Sequence, residues 1–389
     1  MILDRYFKII SNLYILFLSI FIFACSVGIN IIIFPALLVS NNISPSKIGI
    51  ATAVETTGAI FMSFFLAKIV KKIGVISVLL IATSIYSFII FIANSFLGFI
   101  WWLILIFILG CCWFSTAVIR QAWLNFLTNN KDRGMVIGTF SMIISLGLAT
   151  GPMIVSVAGA RSQISFIISA FLMITSFLII KLFFKQPSPV INIDAMPIKE
   201  FFLNNPIASL ARFFLDFQVF LLITLTVPFA TKINISFEQA AMLIGAFMLS
   251  GFCDLIIGAM LTRFNPYKVV NIGFLIKILA ILAMILMQDY GKLLILYFLF
   301  GVGVACNFVA TYKIINDKYA DNIIVANATF QRIGSIGSLC GGLFGGIMIE
   351  IFGSNGFLIA LILGSITFLT FIIFNQKNLN YKNKYLKND

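Results

Sequence analysis

The sequence predicts an all-α polytopic membrane protein: twelve transmembrane helices in two six-helix bundles, with both termini cytoplasmic. Three observations carry that prediction. Apolar runs of about 20 residues, the length that crosses a bilayer as a helix, recur from one end to the other. Only 10% of the residues are charged, against roughly a quarter in soluble domains, so no stretch can build a soluble core. Lys and Arg also fall almost entirely in alternate loops, as the positive-inside rule requires of a multi-span chain.

Taken in order, the first six runs cover 13–38, 46–68, 74–94, 98–126, 134–158 and 163–184. The first is too long for a signal-peptide core and lacks a small-residue cleavage site, so it is expected to remain in the mature protein. A polar stretch rich in Pro and Asn follows from Lys185 to Asn205 and reads as a linker. The second six runs cover 206–230, 238–262, 267–287, 291–314, 323–350 and 355–374. The expected organisation is therefore an N-terminal bundle (1–184), a cytoplasmic linker (185–205), a C-terminal bundle (206–374) and a basic tail (375–389).

One set of loops, with the termini and the linker, holds Arg5, Lys8, Lys68, Lys71, Lys72, Lys131, Arg133, Lys181, Lys185, Lys199, Arg263, Lys268, Lys318 and four tail lysines. The other set holds Lys47, Arg161, Lys232 and Lys292, a division of 17 against 4 that puts the first set in the cytoplasm of a bacterial inner membrane. Trp101 and Trp102 then fall near the outer interface, where aromatic rings are expected. This arrangement also accounts for the net charge of +13, which in a soluble protein would suggest nucleic acid.

The halves repeat. An offset of 191 residues lays Gly110 on Gly301, Leu148 on Leu339 and Gly151 on Gly342, and lays the loop from Ala67 on the loop from Gly258, with Lys72 on Arg263.

Several chemistries are disfavoured. There is no histidine, so no imidazole relay or His-ligated metal centre can form. The six cysteines (25, 111, 112, 253, 306 and 340) lie in apolar runs without metal-ligand spacing. No nucleophile–base pair and no phosphate-binding G-x4-G-K-[ST] loop occurs, so neither an enzyme nor an ATP-driven pump is expected, and no cofactor.

The fifth run carries Gly138, Gly147, Gly151 and Pro152 in the spacing G-x8-G-x3-G-P. Gly147 and Gly151 share one helix face, where a neighbour can approach closely, and Pro152 bends the helix nearby. This spacing resembles the fifth-helix signature of the major facilitator superfamily, associated there with exporters, although Val155 replaces its last glycine. The loop A67-KIVKKIG-VI76 is similar to that family's G-x3-D-R-x-G-R-R. Ala67 takes the first glycine's place, Lys71 the acid's, Lys72 the arginine's, Gly74 the second glycine's, and Val75 and Ile76 the final basic pair's. The stretch from Arg120 to Gly134 resembles the end of helix 4 in one bacterial branch, with Trp123, Asn125, Arg133 and Gly134 fitting and Gln121 replacing an acid.

The resemblance implies two bundles rocking about a midplane site, with helices 1, 4, 7 and 10 lining it. It implies a monomeric secondary transporter of a small organic solute, a drug, metabolite or siderophore-like compound, most simply a proton-coupled exporter. A proton-coupled importer of a sugar or amino acid and a non-transporting sensor are the alternatives. With Lys71 at the acid's position, the family's cytoplasmic latch must differ here.

Charges within the spans are the remaining clues, because each costs about 2.5–3.5 kcal/mol at the bilayer centre on the gentlest scale. Arg212 and Asp216 are i, i+4 and can pair. Asp216 is read either as the proton carrier or as a structural partner of Arg212. The resemblance also puts Arg120 and Asn307 within reach of a solute, although Arg120 is near enough to the helix end to snorkel. Asp254 reads as a gate residue, Glu55 as either an outer gate or a solvated mouth, and Arg332 as a partner for Asp254 or Asp216. Lys313 is expected to snorkel. Lys277, mid-span on a helix that the family would place outside, has no evident partner.

Overall fold

The computed structural model describes residues 2–93, 95, 98–128, 133–183, 196–261, 263–319 and 323–385; their side chains are described except at 2–12, 125, 133–135, 137–138, 323–324 and 373–385. Arg5, Lys8, Lys131, Lys185, the tail lysines and the side chains of Asn125 and Arg133 lie outside these, as does the packing of Gly134 and Gly138.

Among the described residues, twelve helices are long and apolar enough to cross a membrane, so the chain is a multi-pass membrane protein. They are α1 (Ile2–Ser40), α2 (Pro45–Ile73), α3 (Val75–Ala93), α4 (Phe99–Leu127), α5 (Arg133–Ala158) and α6 (Gln163–Phe183) in the first half. The second half has α7 (Pro206–Lys232), α8 (Phe237–Met260), α9 (Pro266–Leu286), α10 (Tyr290–Lys318), α11 (Ile323–Phe352) and α12 (Ser354–Tyr385).

The ends follow local chemistry. Pro45, Pro206 and Pro266 open their helices, where a missing N–H costs nothing. Ser236 and Gln239 close a capping box on α8, and the Asp289 carboxylate accepts from the N–H groups of Gly291 and Lys292 at the start of α10. Gly74 ends α2 with φ of 84°, a backbone that a side chain rarely adopts.

Two expectations change. The segment read as the last part of a linker forms a short helix, Ile198–Asn204, whose Phe201 is buried and stacks on Tyr319 with ring centroids 5.4 Å apart. Asn205 Nδ2 donates to the Tyr319 hydroxyl at 2.8 Å, and Lys318 Nζ donates to the Asn204 carbonyl at 2.6 Å. The linker thus ends inside the C-terminal core, because its apolar side chain has a pocket to fill there. The second change is in α8, which is not continuous: a 3-10 turn over Ser250–Phe252 interrupts it. Ser250 Oγ donates to the Phe247 carbonyl at 2.6 Å, and Gly251 allows Ser145 of α5 to press against the backbone.

Small residues build the seams, as they must where lipid removes the hydrophobic drive for helix association. Gly28 of α1 meets the backbone of Leu148 and Gly151 of α5, and Gly147 faces Ala24. Gly337 and Gly341 of α11 lie on the carbonyls of Phe213 and Phe217 of α7. Between the halves, Gly49 of α2 lies on Gly342 of α11, and Gly346 lies on Pro45 and Ser46. Gly245 of α8 faces Pro152 and Ala149 of α5.

The buried core has a telling distribution. At the end of the molecule that holds the α1–α2 loop, one apolar cluster runs through both halves, from Ile33, Trp102 and Phe166 to Phe229, Tyr297 and Phe357. At the other end, where the basic loops are, the core is split. Leu16, Leu79, Trp123 and Phe177 belong to one cluster, and Phe201, Phe274, Ile315 and Phe330 to another. The halves are therefore joined at one end and part at the basic end.

Candidate functional site

The buried charges fall into separate clusters rather than one. The most elaborate is on α7. Arg212 and Asp216 lie one turn apart, and Arg212 Nη2 is 2.8 Å from Asp216 Oδ2, with side chains only 4% and 12% exposed. The same Nη2 donates to Gln331 Oε1 of α11 at 3.0 Å, which also accepts from the Tyr312 hydroxyl of α10 at 3.0 Å. Three rings frame the guanidinium: Phe308, Tyr312 and Phe330, with centroids 5.4, 5.3 and 5.6 Å from its central carbon. Nε and Nη1 of Arg212 have no hydrogen-bond partner among the described residues.

This arrangement depends on Gly334. A Cβ there would collide with Asp216 Oδ2 and approach Arg212 Nε, so α11 can carry no side chain where it passes the pair. The result is a buried ion pair in an aromatic frame, with two spare donors and an exposed amide, Gln331, at its edge. Such a group can hold an anionic or polar fragment of a solute, and its carboxylate can exchange the arginine for a proton.

Arg120 is built differently. It is 1% exposed, so it does not snorkel as its place near the helix end suggested, and it points into the junction of α1, α4 and α6. Nη2 donates to Ser176 Oγ at 2.9 Å, Nη1 to the Thr116 carbonyl at 3.3 Å, and the Phe23 ring centroid is 4.5 Å from its central carbon. Hydroxyls, a carbonyl and a ring surround it, with no carboxylate among the described residues. Asn307 also turns inward: its Nδ2 donates to the Val270 carbonyl of α9 at 2.6 Å and it is fully buried. Neither residue is brought to the Arg212–Asp216 pair.

The remaining candidates are dispersed. Arg332 pairs with neither Asp254 nor Asp216. Its guanidinium lies over the Phe64 ring of α2 at 5.2 Å, across the boundary between the halves, because α11 turns it away from α7. Asp254 follows the 3-10 turn of α8 and is half-buried, with no ion pair among the described residues. Glu55 is half-buried, and its backbone forms the floor under Gly110. Lys71, Lys72 and Gly74 are exposed at the basic end, and Lys313 pairs there with Asp317 at 2.8 Å. Gly147, Gly151 and Pro152 serve the α1–α5 and α5–α8 seams.

With twelve spans, two halves joined at one end and a buried ion pair inside, the chain can be compared with known proteins. The profile of the Major Facilitator Superfamily matches residues 16–199 and 208–385, nearly the whole chain in two halves. The chain belongs to the Major Facilitator Superfamily. Among solved structures, this superfamily member is similar to a mutant form of the nucleoside transporter NupG, at 16% identity over 92% of this chain and 99% of that one, with a TM-score of 0.76. It is also similar to a bacterial homologue of the human lysosomal transporter Spinster, in an inward-facing and unoccupied conformation. There the identity is 15% over 94% of both chains, with a TM-score of 0.72. At these identities the likeness shows the fold alone. No sequence match to a curated protein is found.

Within the superfamily fold, sequence reasoning found the ion pair but not its frame. Phe308, Tyr312 and Phe330 are three among many aromatic residues, and nothing in their spacing separates them from packing rings. Gln331, beside Arg332, and Gln218, two residues after Asp216, were the usable signals, since an amide in a span needs partners.

Proposed function

We propose that the chain is a secondary transporter that moves a small organic solute across a bacterial inner membrane by alternating access. The solute occupies the site on α7, α10 and α11, and Asp216 carries the coupling proton. The observation that carries this reading is the Arg212–Asp216 pair, held in its aromatic frame with two guanidinium donors unused. A solute group that takes Arg212 releases Asp216, whose lone carboxylate then binds a proton rather than remain charged in the span. The split core supports a conformation open at the basic end, which the positive-inside rule makes the cytoplasmic side, with both termini there.

The G-x8-G-x3-G-P spacing of α5 supports export, of a drug, metabolite or siderophore-like compound. The second reading is proton-coupled import of a zwitterionic nutrient, favoured by an acid and a base placed side by side. The test is proton flux into dye-loaded liposomes, driven by pooled solutes, with wild type beside Asp216→Asn. Flux with wild type and none with the variant supports the assignment, and its direction separates antiport from symport. Undiminished flux in a folded variant would overturn the role of Asp216.

A further inference from the structure

Lys277 lies at mid-span of α9 and is completely buried inside the C-terminal half. Its Nζ donates to Gln218 Oε1 of α7 at 2.7 Å and lies 3.6 Å from the centroid of Phe274. Gln218 cannot turn away, because its Nε2 donates to the Leu361 carbonyl at 2.6 Å and to Ser365 Oγ at 2.7 Å, both on α12. Gly303 of α10 leaves the space that the lysine stem fills. The amine thus joins the first, third and sixth helices of its half through one oriented amide.

The other half has the same knot without the amine. Subtracting the repeat offset of 191 from Lys277 gives Tyr86 of α3. The Tyr86 hydroxyl accepts from Asn30 Nδ2 of α1 at 3.1 Å, and Asn30 Oδ1 accepts from Ser169 Oγ of α6 at 2.7 Å. Again the first, third and sixth helices are tied, here by neutral groups alone. A phenol is therefore sufficient for the knot, and the lysine adds something that the knot does not need: a group that can gain and lose a proton.

We propose that Lys277 is a second proton-binding site, through which proton binding biases the conformational equilibrium of the transporter. One oriented amide oxygen suits either form of the amine, since both donate an N–H to it, while the ring face of Phe274 receives the ammonium. The groups facing it are Gln218 from α7, Phe274 from its own helix, and Gly303 and Cys306 from α10, with Cys306 the titratable one, while Leu361 and Ser365 of α12 hold Gln218. Asp254 of α8 forms no ion pair with the amine among the described residues. In the conformation open at the basic end, an added proton has no anion beside it. Proton binding at Lys277 accordingly favours the conformer in which α7 and α9 shift and water reaches the amine. Gln218 is two residues from Asp216 on α7, so the helix that carries the ion pair moves with it.

The proposal rests on alternating access but not on which solute is carried, and its test needs no solute. Spin labels coupled through encoded azides at Lys71 and Lys268, both exposed at the basic end and on opposite halves, report that opening in nanodiscs. Wild type is expected to show two distances whose ratio moves with pH, by up to about tenfold per unit for one proton. Lys277→Met, which removes the amine, and Lys277→Tyr, which copies the other half's knot, are expected to hold the ratio constant between about pH 5 and about pH 9. Lys277→Arg, permanently charged, is expected to hold it at the acid limit. A wild-type response that survives in Lys277→Tyr, or a pH-independent pair of distances in wild type, would retire the proton site alone. A single distance at every pH would retire alternating access and the proposal with it.

Discussion

The two halves share a plan and handle charge in opposite ways. In the N-terminal half a buried arginine, Arg120, is surrounded by neutral groups from its own bundle, and the three-helix knot at mid-depth is built from a phenol, an amide and a serine hydroxyl. In the C-terminal half the buried arginine has a carboxylate at 2.8 Å and a frame of rings, and the equivalent knot contains an amine. Neutral partners hold a charge in one place whatever the state of the molecule. A carboxylate and an amine can change partner or protonation as the bundles move. On the proposed mechanism, the N-terminal half is expected to act as the stator and the C-terminal half to carry the proton chemistry.

The largest effect should come from splitting the ion pair. Asp216→Asn leaves Arg212 buried without an anion, and breaking such a pair costs about 3–5 kcal/mol. Thermal unfolding in detergent should show a marked loss. Arg212→Met combined with Asp216→Asn should recover much of that stability while transport stays absent. Equal instability in the double variant would argue against the pairing.

The next effect concerns the joined end. Gly346→Ala puts a methyl group against Pro45 and Ser46, at the seam between the halves. Overpacking of this kind costs about 1–3 kcal/mol. It should move the population toward the conformer closed at the basic end, measured by the same inter-label distances. Gly258→Ala, whose methyl group would meet only Val309 Cγ1 at an ordinary 3.9 Å, is the control and should change nothing.

Arg120→Met tests the stator directly. Loss of its hydrogen bonds should lower stability by about 1–3 kcal/mol and leave flux per folded molecule unchanged. A selective rise in KM with stability intact would instead make Arg120 a solute contact. The smallest effect is expected from Ser169→Ala in the neutral knot, about 0.6 kcal/mol, a typical value for a hydrogen bond between membrane helices. A much larger loss would show that the two knots are not equivalent.

Much of the fold was legible because a bilayer imposes it. Backbone groups in hydrocarbon must be satisfied within the segment, so span length and apolarity identify each spanning helix, though not its exact ends. The offset that lays Gly151 on Gly342 also predicted two related halves. The interruption of α8 was less legible, since Ser250 and Gly251 are ordinary small residues until Ser145 and Gly301 press on them. Among the charges, Arg212 and Asp216 were readable because their contact is local, four residues apart on one helix. Arg120, Asn307 and Arg332 were not, because whether a span residue faces its own bundle, the partner bundle or the central gap depends on helix rotation.

By itself, then, the sequence determined the spans, the close-packing face of α5 at Gly147 and Gly151, the repeat, and that Arg212 and Asp216 can pair, all consequences of the cost of polar groups in lipid or of spacing along one helix. The tertiary structure alone decided that the core joins at one end and divides at the other. It alone put three rings around Arg212, turned Arg332 onto Phe64, and tied Lys277 and Tyr86 each to the first and sixth helices of its own half. Those outcomes require several helices to meet at fixed rotations, and no pattern within a single apolar run encodes the rotation of its neighbours.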